Sequence, residues 1–299
     1  MKNESFKNKV VDGLIWKFVE KIGAQGMQLI IQIVIARVLM PDEYALVGLI
    51  TVFITISDVF ILQGFTTALI QKKSTDNTDY SSVFYANLIM ALILYAVLWC
   101  IAPFVAKFYA SSELTSIMRV LSINVLIGAI PAVHNAILSR NLDFRKSFYR
   151  NISNTITQGI VGISMAVCGF GAWSMVFSKI AGTAVGAVVL WFTVQWKPSR
   201  VFSIKRLVVL FSYSSKVLAT NLLNTVFNNI HTLIIGKYFA KTELGFYQRG
   251  QSIPQSVMSS IDGTLAEVLY PNWNFLTMSS RIPRWRKYVI PMDFPSTCW

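Results

Sequence analysis

Lys17, Lys21, Gln25, Gln28 and Gln32 recur every three or four residues, so on a helix turning about 100° per residue they share an arc of about 80°. Ser214, Asn221, Asn224, Thr225, Asn228 and His231 share about 120° by the same geometry. Side-chain amides at this spacing can hydrogen-bond hydroxyl-rich groups, and ammonium groups can meet anions. Both sets interrupt otherwise apolar stretches, where polar side chains face a cavity or a partner helix. Packing of helix on helix through these amides is the competing reading. Lys17 and Lys21 also stand near one end of their stretch, where long cationic side chains can snorkel to the surface.

Asp58 and Lys179 are single charges deep in apolar runs. Such groups are rare without a partner, so mutual pairing is the simplest expectation, with Asp58 as a cation or proton site the alternative. Arg249 lies about a turn and a half into its own apolar run, where snorkelling and a cavity role are both open. No catalytic constellation emerges. Cys100, Cys168 and Cys298 are far apart, which builds neither a disulfide framework nor a metal site. His134 and His231 lack a neighbouring Cys, His or Asp cluster, and a buried structural role is expected for each. Gly169-Phe170-Gly171-Ala172 lacks the third glycine of a nucleotide loop and reads as a turn. No cofactor is expected.

The elements that must position these residues are set by composition. The 299 residues are 54% apolar and only 14% charged, with a mean hydropathy of +0.53. That balance excludes ordinary soluble enzyme folds and predicts an all-α integral membrane protein, a polytopic helical bundle. Uncharged stretches mark about eight transmembrane helices, at 10–39, 44–70, 79–108, 114–138, 151–168, 172–195, 207–236 and 244–269. His134 and Pro131 interrupt the fourth.

Seventeen of the 27 Lys and Arg residues fall on one side of this arrangement, five on the other and five within the spans. Because basic residues accumulate in cytoplasmic loops, both termini are expected in the cytoplasm. The net charge of +13 then reflects topology against anionic membrane lipids, and nucleic acid is not expected as a partner.

An internal repeat appears at an offset of 200 residues, with Ile33–Leu39 and Glu43 set against Leu233–Phe239 and Glu243. Arg37 matches Lys237, and Gln28 matches Asn228. The first and seventh spans would then be equivalents entering from the same side, which makes the repeat parallel. The expected organisation is a complete six-helix first lobe over 1–200, the first two helices of a second lobe over 201–271, and an atypical tail over 272–299. Three tryptophans and four prolines crowd residues 271–299 without a run able to span a membrane. This reads as a foreign tail, of the kind a frame-shifted or interrupted reading gives, with a true cytoplasmic tail as the alternative. A second lobe matching the first would need about four further spans.

Several segments together resemble a known family. They are Ala36–Tyr44 after the first span, Ala68–Lys73 closing the second, Asn141–Lys146 after the fourth, Gly169–Ser174 between the fifth and sixth, and Asn221–Asn224, Leu233–Lys237 and Leu244–Tyr247 further on. Over residues 8–271 the chain resembles the Wzx-type polysaccharide exporters of the multidrug/oligosaccharidyl-lipid/polysaccharide flippase superfamily. The resemblance implies a two-lobed bundle, here apparently shortened at its C-terminus. Such a bundle flips an undecaprenyl-pyrophosphate-linked oligosaccharide, an O-antigen, capsule or exopolysaccharide unit, across the bacterial cytoplasmic (inner) membrane by rocking of the lobes. It also implies that Lys17, Lys21 and Arg249 meet the pyrophosphate while Gln25, Gln28, Asn221, Asn224 and Asn228 meet sugar hydroxyls. The partners implied are the lipid-linked oligosaccharide and other polysaccharide-assembly membrane proteins. Ala45 stands where the family pattern often has Gly. The alternatives are a non-transporting truncated fragment, or a membrane-embedded polymerase or acyltransferase; the latter would be expected to carry a long outer loop or an acid/base cluster.

Overall fold

The computed structural model describes residue 23 and residues 25–72, 75–141, 143–252 and 254. Among these the only regular elements are helices: α1 (Gln25–Val38), α2 (Pro41–Gln63), α3 (Phe65–Gln71), α4 (Asn77–Phe108), α5 (Glu113–Leu121), α6 (Ile123–Ala129), α7 (Ala132–Asn141), α8 (Phe144–Val167), α9 (Ala172–Thr193), α10 (Ile204–Tyr238) and α11 (241–252). They lie within one compact unit, Met1–Ser256. The expected tail over 272–299 falls outside the described residues.

Local chemistry sets the helix ends. Pro41 opens α2, and the Glu43 carboxylate accepts the Met40 backbone N–H at 2.8 Å, placing negative charge on the amide end of the helix. Gly64 separates α2 from α3, and a side chain there would collide with the Phe60 carbonyl oxygen. Pro41–Ile70 is nonetheless one apolar stretch of 30 residues, ample for a bilayer. The expected fourth span is broken, with Glu113–Ala129 and Ala132–Asn141 meeting at 42°. Pro131 at the break supplies no N–H and cannot continue a straight helix. The 169–172 segment is a turn, as its glycines indicate. Gly169 has φ +80° and Gly171 has φ +55°, conformations that side chains resist. A side chain at Gly171 would also meet Glu43.

Among the described residues, Pro41–Ile70, Asn77–Phe108 and Ala172–Thr193 are each long and apolar enough to cross a membrane. The bent 113–141 pair reaches that length and composition only when its two helices are taken together, as a broken span or a re-entrant loop. α8 and α10 run for 24 and 35 residues, about 36 and 52 Å, but their amides and hydroxyls lower their hydropathy. Lipid-facing side chains such as Leu92, Phe104 and Phe192 are 60%, 73% and 83% exposed, which a bilayer accommodates and water would not. The chain is therefore a multi-pass helical membrane protein.

The main core gathers the buried faces of α2, α4, α5, α6 and α9 together with Leu244 of α11. α8 and α9 form a close hairpin in which Gly182 lies against Asn154 and Gln158, and the Ser178 hydroxyl donates to the Gln158 carbonyl at 2.8 Å. Small residues allow such backbone approach in membranes. His134 is 1% exposed and lies between Trp191 and Trp196, each 5.3 Å away, the buried structural role expected of it. His231 is exposed on α10, against expectation, on a side of that helix that also exposes Phe227 and Ile234.

The connector between α9 and α10 is fastened to the start of α4. The Ser199 and Ser203 backbone N–H groups donate to the Ser81 and Ser82 hydroxyls at 3.0 Å each. Trp196 Nε1 donates to Asn77 Oδ1 at 2.6 Å. Arg206 pairs with Asp76 at 3.1 Å and with Asp79 at 3.2 Å, and Lys72 joins Asp79 at 2.6 Å.

The offset of 200 residues recurs in the helix ends. α1 ends at 38 and α2 starts at 41, while α10 ends at 238 and α11 starts at 241. The Leu39 N–H donates to the Ile35 carbonyl at 2.9 Å, and the Phe239 N–H to the Ile235 carbonyl at 3.0 Å.

Candidate functional site: a polar chamber within the helix bundle

A cavity of about 470 Å³ lies between α1, α2, α8, α9, α10 and α11. α1 contributes Gln28 and Gln32 at successive turns, with Ile31 and Ile35 beside them. From α2 come Gly48, Thr51 and Val52; from α8 and α9 come Thr155, Gln158, Ser178 and Lys179. α10 adds Asn229 and Thr232, and α11 adds Gln248, Gln251 and Ser252. The described lining contains six amides, several hydroxyls, one ammonium and no carboxylate. Such a surface offers donors and acceptors to a hydroxyl-rich ligand and attraction to a negative charge.

Several lining groups are already engaged. The Thr51 hydroxyl donates to the Val47 carbonyl at 2.8 Å, and the Asn229 amide to the Thr225 carbonyl at 2.8 Å. The buried Gln32 Oε1 has no hydrogen-bond partner among the protein atoms, which leaves an acceptor free for a ligand or water.

The residues expected from sequence fall in different places. Lys17 and Lys21 lie outside the described residues. Gln28 lines the chamber and Gln25, half-buried one turn earlier, does not. On α10, Asn221 is half-buried, Asn224 and Asn228 are exposed, and none of the three lines the chamber. Its place is taken by Asn229 and Thr232, whose mean direction lies about 70° around the helix from the centre of the expected stripe.

Arg249 ties elements together. Its guanidinium donates to the Leu39 carbonyl and lies over the Tyr44 ring, 4.9 Å from the centroid. Its Nε is buried without a partner. Lys179 reaches the chamber, whereas Asp58, two turns beyond Thr51 on α2, does not line it. The two charges act on each other between α2 and α9 without forming a direct ion pair.

Sequence periodicity missed Thr51, Gln158, Asn229, Thr232, Gln248 and Gln251. The repeat carries the signal that finds four of them. Gln32 and Thr232, Gly48 and Gln248, Thr51 and Gln251, and Val52 and Ser252 are all pairs offset by 200 residues, and both members of each pair line the chamber.

This is the architecture of a helical membrane protein with a chamber shared by repeat-related helices. The same fold occurs in a solved structure described as the inward-facing conformation of a multidrug resistance MATE family transporter of the MOP superfamily. The TM-score is 0.60 at 15% identity, covering 83% of this chain and 64% of that one.

The family model described as "Polysaccharide biosynthesis protein" matches residues 34–278, and the chain belongs to that family. Among its relatives, the succinoglycan biosynthesis transport protein ExoT of Rhizobium meliloti (strain 1021) is 25% identical over 84% of this chain and 51% of its own length. The teichuronic acid biosynthesis protein TuaB of Bacillus subtilis (strain 168) is 24% identical over 72% of this chain and 45% of its own. The lipopolysaccharide biosynthesis protein WzxC of Escherichia coli (strain K12) is 17% identical, with coverages of 89% and 55%. The chain thus spans about half the length of the curated relatives it matches.

Proposed function

We propose that this chain forms the substrate chamber of a transporter that moves a polyprenyl-pyrophosphate-linked oligosaccharide across the cytoplasmic membrane, without chemical change to the cargo. The observation that carries this reading is the chamber lining: amides and hydroxyls suited to sugar hydroxyls, an ammonium at Lys179 suited to phosphate, and no described carboxylate to repel it. The similarity to ExoT, which is named as a transport protein, supports the same reading. The relatives named for succinoglycan, teichuronic acid and lipopolysaccharide serve different polymers, so the family shares a process more than a sugar.

In this proposal residues 1–200 form the first lobe and 201–271 begin the second, with both termini cytoplasmic and the 38–41 and 238–241 turns on the outer side. Lys17 and Lys21, which the family resemblance assigns to the pyrophosphate, supply positive charge for it. Gln28 and Lys179 contact cargo, Arg249 positions α11 against the α1–α2 turn, and Asp58 tunes Lys179 from behind. Anionic lipids meet the cytoplasmic basic residues, and other polysaccharide-assembly membrane proteins deliver and receive the cargo.

The test is complementation of a flippase-deficient host with the native chain and with Lys179→Gln. Restored surface polysaccharide with the native chain, and its loss with the variant at equal membrane abundance, is the expected result. Full restoration by both would remove Lys179 from the chamber's function.

A further inference from the structure

Where α2 and α11 approach, the Gln248 side chain lies directly over Gly48, so that even a methyl group on Gly48 would overlap its carboxamide. The two residues are repeat equivalents, and each lies two turns from the start of its helix. Thr51 and Gln251, the next chamber residues on these helices, are one turn deeper. Gln248 is the first chamber residue of α11 after the 238–241 turn and crosses to α2 close to the turns, with Ile35, Tyr44 and Val47 of the lining nearer to them.

Further contacts close the same end. The Gly245 backbone lies against the Pro41 carbonyl, where a side chain would not fit, and Gly236 lies against Leu49. Lys237 Nζ donates to the Phe108 carbonyl at 2.7 Å and lies 4.1 Å from the Phe108 ring centroid. Lys241 Nζ donates to the Ser111 hydroxyl at 3.1 Å, and Arg249 holds the Leu39 carbonyl. Each of these cations is held by a neutral oxygen or a ring. Separating such contacts leaves no stranded carboxylate behind, in contrast to breaking a buried ion pair.

We infer that Gln248, seated on Gly48, is a plug that shuts the 38–41/238–241 end of the chamber and that must leave Gly48 for cargo to pass. Glycine at 48 is the receptor: its missing side chain is the space the carboxamide fills. Glutamine at 248 can reseat by rotation about its own side-chain bonds, with no change in charge. The inference rests on the transport reading of the chamber, because a plug regulates passage only where something passes.

The test uses the full chain in membrane vesicles, with Cys100→Ser, Cys168→Ser and Cys298→Ser, and Thr51→Cys as a reporter just beneath the plug. A membrane-impermeant maleimide is applied separately to each face. With Gln248 in place the reporter reacts from at most one face. Gln248→Ala opens the silent face, raising labelling there about tenfold, equivalent to about 1.4 kcal/mol. Gln248→Asn, one methylene short of the seat, gives an intermediate rise, and Gly48→Ala, which expels the carboxamide, gives a rise like that of Gln248→Ala. Reactivity from both faces with Gln248 in place would overturn the inference, as would a silent face that stays silent in all three variants. Labelling needs no cargo, so the two readings fail separately. A chain that labels as described yet moves no lipid-linked oligosaccharide keeps the plug and loses the transport reading. A transporting chain whose labelling ignores position 248 loses the plug alone.

Discussion

Asp58 of α2 and Lys179 of α9 act on each other across a helix interface, yet only Lys179 reaches the chamber. A charge placed in apolar surroundings is costly without a counter-charge, and here the counter-charge is set back from the binding surface. The arrangement leaves the ammonium facing the chamber while Asp58 offsets part of the cost of burying it. Lys179→Gln should therefore lower transport by about tenfold or more, whereas Lys179→Arg should retain most of it, since the charge persists. Asp58→Asn should lower the amount of folded protein in the membrane before it lowers transport per molecule. Quantitative complementation normalised to membrane abundance separates these effects.

The two amide stripes predict opposite outcomes. Gln28 and Gln32 line the chamber, while Asn224 and Asn228 are exposed on α10 and do not. At about 0.5–1.5 kcal/mol per hydrogen bond, the double change Gln28→Ala with Gln32→Ala should cut transport by roughly tenfold. Asn224→Ala with Asn228→Ala should leave chamber binding of cargo nearly unchanged. Cargo binding to purified variants is the measurement, and equal losses in both pairs would contradict the placement of the chamber.

Gly182 permits the close approach of α8 and α9, since any side chain there would run into Gln158 and Asn154. Gly182→Val should destabilise the hairpin by about 1–3 kcal/mol, the usual cost of overpacking. Because Gln158, Ser178 and Lys179 all lie on this hairpin, the thermal midpoint of the detergent-solubilised protein and cargo binding should fall together. Gly128, with nothing within 4 Å of an added side-chain carbon, is the matched control: Gly128→Ala should change neither.

The Asp79 side chain is fully buried and joins Lys72 and Arg206, which are 35% and 40% exposed. Asp79→Asn should cost about 2 kcal/mol, a charged hydrogen-bonded group discounted for the exposure of both cations. Arg206→Ala should cost less, because Lys72 still serves the carboxylate. Hydrogen exchange in the 195–203 connector should rise in both variants, more in the first.

Much of the fold was legible because apolar runs and their interruptions are what a bilayer selects. The turn at 169–171 followed from its glycines. Pro131 stood out as an interruption of the fourth span, but the apolar run there predicts one helix and not the 42° break. The start of the fifth span did not follow. Arg145, Lys146 and Arg150 read as a loop before residue 151, yet α8 begins at Phe144, because hydropathy reports where lipid is and a helix can project beyond it. The site was half legible. On α1 a single polar face made Gln28 and Gln32 stand out by period alone. On α10 polar residues occupy both the chamber side and the exposed side, so the centre of the stripe pointed between them and missed Asn229. Arg249 was visible as an intramembrane cation, but its engagement with the Leu39 carbonyl and the Tyr44 ring depends on a contact 210 residues away in sequence, which no local pattern encodes.

The most direct measurement of the central claim is site-specific photocross-linking of a labelled polyprenyl-pyrophosphate oligosaccharide in native membranes, with a photoreactive residue placed at Gln251 in the chamber or at Asn224 on the exposed face of α10. The account predicts an adduct at 251 that unlabelled lipid-linked oligosaccharide competes away and that Lys179→Gln weakens, with little or none at 224. Equal capture at both positions, or capture at 251 that neither competitor nor Lys179→Gln alters, would contradict it.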